Sequence, residues 1–87
     1  MEYAPRHFGV FVCSHVFQRI RPVLIVVHYD SNWDFMCGSE DHGDNWHHVG
    51  IGRLLDADAS LNECADLPNS SIAERQAVGQ PWYWGLL

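Results

Sequence analysis

Five consecutive aliphatic residues, Val23-Leu-Ile-Val-Val27, lie between Pro22 and His28-Tyr29. The run is far too short to cross a membrane as a helix, which takes ~18–20 residues. Its β-branched, nearly continuous apolar character suits a central strand covered on both faces. Pro22 has no N–H to give a ladder, so it fits the first position of that strand. Asp30-Ser-Asn32 then supplies turn chemistry, because short Asx and Ser side chains bond to nearby backbone. Trp33-Asp-Phe-Met-Cys37 alternates large and polar residues up to Gly38. Pro22 to Cys37 therefore predicts an antiparallel hairpin around which the remainder of an 87-residue chain must organise. That length predicts one domain spanning residues 1–87, with no deep cleft between two lobes.

A hydrophobic fraction of 47% and a charged fraction of 18% exclude a disordered chain. Phe8 to Cys13 has the β-branched and aromatic composition of a further strand. After a polar stretch from Ser39 to His48 the period changes. Ile51, Leu54 and Leu55 follow the i, i+3, i+4 spacing of a helical face. Asp58 is placed to cap a second short helix with Leu61, Cys64 and Ala65 inward, and Leu67-Pro68 ends it. The tail supports two readings. Ser71-Ile-Ala-Glu74 matches a helical capping box, whereas Val78-Gly-Gln-Pro81 suits a turn between two strands. Local signals slightly favour a helix for residues 71–78, whereas Trp82-Tyr-Trp84 needs a neighbouring strand to pair with, and both readings stay open. The expected fold is α+β, an antiparallel sheet packed with one or two short helices.

Eleven Asp and Glu face five Arg and no Lys, giving a formal charge of −6 that protonation of all six His would bring to 0. Scattered, outnumbered cations make nucleic acid and anionic membranes poor partners. A basic protein is the better electrostatic match. Three cysteines cannot pair off internally, and Met1 to Pro5 is short, acidic and without an apolar core of the kind a secretory leader has. Free thiols in a reducing cytoplasm are therefore expected.

Two chemical arrangements suggest themselves. Zinc takes about four N or S ligands in a tetrahedron. Cys13 and His15, two apart, would share one face of a strand, and Cys37, His42, His47 and His48 cluster around the acidic loop. No Cys-x-x-Cys or His-x-x-x-His pair accompanies them, so a small metal-binding protein stands as the alternative reading. A nucleophile needs a base in hydrogen-bond reach that a third group orients. Cys37, His42 and Asp44 have the right residue types, but a chain this small can hardly exclude water around them. The expectation is a protein that is not an enzyme and holds no cofactor.

Asn32-Trp-Asp-Phe35, Gly38-Ser-Glu40-Asp41, Val49, Leu54-Leu55, Asp58-Ala-Ser-Leu61 and Leu67-Pro68 together resemble a small bacterial domain of unknown function grouped with the immunity-protein-like domains of polymorphic toxin systems. In that pattern a Trp-x-Phe strand leads to a Gly-x-Glu-Asp turn, a helix, an Asp-capped short helix and a Leu-Pro stop. The likeness spans roughly residues 8–84. It departs at Asn32, where the family has Gly, and in the His-rich stretch Asp41 to His48. It implies an α+β domain with a curved antiparallel sheet, a strand around Glu74-Arg75, and the neutralisation of a partner protein by binding. Trp33, Phe35 and Gly38 match as core and turn residues, and Glu40 and Asp41 as the positions expected to be exposed.

The sequence thus predicts a non-enzymatic, cytoplasmic protein-binding domain. Its partner surface would be the acidic loop, comprising Trp33, Glu40, Asp41, His42, Asp44 and Trp46. The Trp82–Trp84 segment, with large aromatic side chains on both strand faces, would support a homodimer.

Overall fold

The central hairpin forms where the sequence places it. In the computed structural model, which describes residues 8–38 and 46–87, β2 (Ile25–Tyr29) and β3 (Asn32–Met36) pair antiparallel with Val26 opposite Phe35. The two-residue turn between them holds Asp30 at φ 51° and Ser31 at φ 64°. Positive φ at both positions matches the right-handed twist of the flanking strands. The Ser31 N–H donates to Asn69 Oδ1 at 3.0 Å and ties the turn to the later chain. Pro22 stands outside the strand, which begins at Ile25.

Around the hairpin a six-stranded sheet assembles in the order β4-β1-β3-β2-β5-β6. The outer strands are β1 (Gly9–Val12), β4 (His47–Gly50), β5 (Ser71–Glu74) and β6 (Tyr83–Leu86). The architecture is α+β, as expected, but the sheet is mixed rather than wholly antiparallel. β1 runs parallel to β3, pairing Phe11 with Asp34 and Val12 with Phe35. Parallel neighbours need a crossover, and the chain between β1 and β3 supplies it with α1 (Ser14–Phe17) and the β2 strand. The tail resolves into strands. β5 pairs with β2 and with β6, and no helix uses the Ser71–Glu74 capping-box pattern. Gly79 at φ 88° and the Gln80 N–H to Ala77 O bond of 3.1 Å make the turn that precedes β6.

α2 (Ile51–Ala57) and a 3₁₀ helix (Ala59–Cys64) complete the chain, with the Asp58 side chain accepting from the Ser60 N–H at the junction. One sheet face carries Val10, Val12, Val26 and Phe35, all fully buried against Val16, Ile51, Leu54 and Leu61 of the helical layer. Among the described residues no helix is long and apolar enough to cross a membrane.

Candidate interaction surface

Side chains alternate across a strand, so the residues between the core positions form a second sheet face. The register lines up Phe11, Asp34, Val27 and Ile72 on four adjacent strands. A neighbouring row runs Met36, Ile25, Glu74 and Tyr83. Phe11 is 37% exposed and borders His48, whose ring centroid lies 5.1 Å from its own. Gly9 makes room there: a Cβ at this position would meet the His48 ring at 2.3 Å. No described helix packs on this face. It is apolar apart from a few polar side chains, with the carboxylate of Asp34 near its middle. Burial among these neighbours raises the Asp34 carboxyl above its ordinary value of 3.8, and no described residue bonds to it or pairs with it.

Of the residues predicted for the partner surface, Trp33 is placed on the helical side of β3. It is 8% exposed, belongs to the core and stacks on His28 at 3.9 Å. The cause is its alternation with Phe35, which sends both rings to the helical side. Trp46 is 43% exposed immediately before β4. Glu40, Asp41, His42 and Asp44 lie outside the described residues. In the tail, Tyr83, Trp84, Leu86 and Leu87 are exposed along the edge strand β6. No described strand pairs with the outer edge of β6.

The described Cys and His side chains do not gather at one point. Cys13 and His15 do not share a strand face: Cys13 caps α1 and His15 lies within it. His15 Nδ1 instead approaches Cys37 Sγ at 3.5 Å. His47 stacks on Phe17 at 3.9 Å on the helical side, whereas His48 lies on the opposite face. Among the described residues no group of three or more His, Cys, Asp or Glu could hold a metal ion. Cys37 is buried beneath the point where the chain leaves β3, which leaves no described approach for a substrate to its thiol. Burial pushes the Cys64 thiol up to about 12, so it is a packing residue rather than a nucleophile.

One organising residue escaped the sequence reading. Arg75 is buried, and its Nε and Nη2 donate to Val23 O at 3.1 and 2.9 Å. Nη1 donates to Ser60 Oγ at 2.7 Å, and Nη2 to Asp58 Oδ2 at 2.5 Å. The guanidinium also stacks on Trp82, 4.3 Å from the ring centroid. Burial pushes the Asp58 carboxyl up, but hydrogen bonds from Ser60 and Arg75 and the Arg75 charge outweigh it, so the group titrates below 3.8. Arg75 thereby ties β5, the start of the hairpin, the 3₁₀ helix and the tail together. Its one sequence signal is being the only basic residue after Arg53.

Comparison of the chain with protein-family models, curated proteins and solved structures finds no match in any of the three.

Proposed function

We propose that this is a non-enzymatic protein-binding domain that receives a basic partner on the open face of its sheet. The observation that carries the reading is the apolar row Phe11, Val27 and Ile72 with Asp34, which has no partner among the described residues, in its midst. A mostly apolar surface with one partly desolvated carboxylate suits a partner that covers the face and places an Arg or Lys against Asp34. The formal charge of −6 supports the same sign of partner. In this reading the acidic residues Glu40, Asp41 and Asp44 add to the electrostatic match with a basic partner, and binding neutralises the partner as the immunity-like resemblance implies. A second copy pairing along β6 is compatible with it, because that edge lies at the far side of the sheet from β4.

The test is native mass spectrometry of the untagged protein enriched from its own host, followed by calorimetry with whatever polypeptide accompanies it. The expected result is a stoichiometric basic polypeptide. Asp34→Lys, and separately Glu40→Lys with Asp41→Lys, should each weaken binding more than tenfold, or above about 1.4 kcal/mol. A bare 10.0 kDa species, or a partner whose affinity ignores Asp34, overturns the reading.

A further inference from the structure

On the helical side, away from the open face, the chain forms a half-open cavity of about 340 Å³. Val12, Val16, Leu54 and Leu61, all core residues, line its interior. Ile20 and Val78 also line it and are mostly exposed, which puts them at its mouth. At roughly 30 Å³ per non-hydrogen atom, the volume a water takes in the liquid, this space holds about eleven such atoms. That is the low end of the range for small-molecule sites.

The charge around this apolar space is unusual for the chain. Five Arg are its only Arg or Lys cations, and Arg19, Arg21 and Arg53 all line the cavity. All three are exposed, and none forms an ion pair with a described carboxylate. Arg53 is held at the wall, its guanidinium carbon 5.0 Å over the ring of Phe17, another lining residue. The single carboxylate in the lining, Asp58, is committed to Arg75 and Ser60. A protein of net charge −6 thus places three of its five Arg beside an apolar cavity with no ion pair to a described carboxylate.

The backbone gives an independent sign. Arg19 follows α1 at φ 59°, with its N–H donating to Val16 O at 3.0 Å and the Ile20 N–H to His15 O at 3.0 Å. This pair of bonds is the helix-ending motif whose left-handed residue is ordinarily Gly. A side chain there is unfavourable for an L-residue, and Arg19 makes no described side-chain contact that would repay it within the fold. A ligand would, since strain of this kind gathers at functional sites.

The geometry points to a binding site for a medium-chain aliphatic carboxylate, its chain in the cavity and its head group held by Arg19, Arg21 and Arg53. Guanidinium is suited to the head because it presents paired N–H donors that match the two carboxylate oxygens. The chain length follows from the volume: octanoate and decanoate fill it, and longer chains protrude past Ile20 and Val78. This site is separate from the open sheet face, and its test is independent of any protein partner.

Calorimetric titration of the full chain with decanoate, octanoate and decanol, below their aggregation concentrations, tests the assignment. Saturable one-to-one binding of decanoate is expected, with decanol at least tenfold weaker. In methyl NMR spectra the shifts should centre on Val12, Val16, Leu54 and Leu61. Arg19→Gly should lower decanoate affinity at least tenfold while leaving the melting temperature unchanged or higher, which separates binding from folding. Arg53→Gln, at an exposed position, gives the same reading by a second route. Absence of saturable decanoate binding overturns the proposal. So does equal binding of decanol and decanoate, affinity unaltered in both variants, or shifts centred on Phe11, Val27 and Ile72 instead.

Discussion

Asp34 and Asp58 are both partly buried, yet their surroundings drive them in opposite directions. Asp58 stands on the helical side with Arg75 and Ser60 bonded to it, and its carboxyl is held below 3.8. Asp34 stands on the open sheet face with no described partner, and its carboxyl is pushed above 3.8. One side of the sheet has resolved its electrostatics internally. The other carries a charge that folding makes less comfortable and nothing described relieves. The first region is where the fold is tied together and the second is where binding is proposed, and the contrast can be attacked from either side.

The largest effect belongs to the paired side. Asp58→Ala leaves the buried Arg75 guanidinium without its counter-charge and removes the cap on Ser60 N–H. The expected loss is about 3 kcal/mol by urea denaturation, at the lower end for an orphaned buried charge because the Asp58 side chain is 20% exposed. Asp58→Asn should lose less, since an amide oxygen still accepts from Ser60. The stability Asp58 contributes is present above its unfolded value of 3.8 and fades as pH falls through its lowered folded value. A loss under 1 kcal/mol for the alanine variant would mean that Arg75 finds other partners and that the two carboxylates differ less than their geometry implies.

An intermediate effect comes from two neighbours on one strand. Val26 is fully buried toward the helices, whereas Val27 lies half-buried on the open face. The same change, Val→Thr, is isosteric and keeps β-branching at each. At Val26 it buries a hydroxyl in the core and should cost about 1–3 kcal/mol. At Val27 it should stay within about 0.5 kcal/mol, as for a surface change. Thermal melts of the two variants side by side measure how uncovered the open face is in solution. Equal losses would show that something covers Val27 as thoroughly as the helices cover Val26.

Much of the paired side was legible along the chain, because its signals are local. The Asp30-Ser31 turn, the Asp58 cap and the Ile51, Leu54, Leu55 spacing each declare themselves within a few residues. Trp33 was legible too. Its alternation with Phe35 already put both rings on one face, and proximity to the acidic loop obscured that. Arg75 was not legible, since its partners Val23, Asp58 and Trp82 are brought to it only by the fold. α1 is a single turn, too short to show a period, so Cys13 and His15 looked like strand neighbours. The open face was half legible. Asp34 alternates with Trp33 and Phe35, which points it away from the core. The hairpin register puts Val27 opposite it, but that Phe11 flanks its other side depends on the parallel β1–β3 pairing, a register no local pattern encodes.

The smallest effect is the most specific. Asp34→Asn keeps the shape of the side chain and removes the charge that burial disfavours. A carboxyl whose folded pKa lies above its unfolded value costs no stability below about pH 3.8; the cost grows as pH rises through the folded pKa and is complete above it. Asparagine should therefore stabilise the isolated protein at pH 7, on the order of 0.5–1 kcal/mol for a half-exposed unpaired group, and make no difference near pH 3. Urea denaturation of both proteins at the two pH values reads this directly. The sign at pH 7 decides the matter. Destabilisation there would mean that Asp34 has a cation within its own chain and that the open face is already served. Stabilisation would mean that the native chain retains a carboxylate which folding alone does not reward, and a partner's Arg or Lys is the group that would reward it.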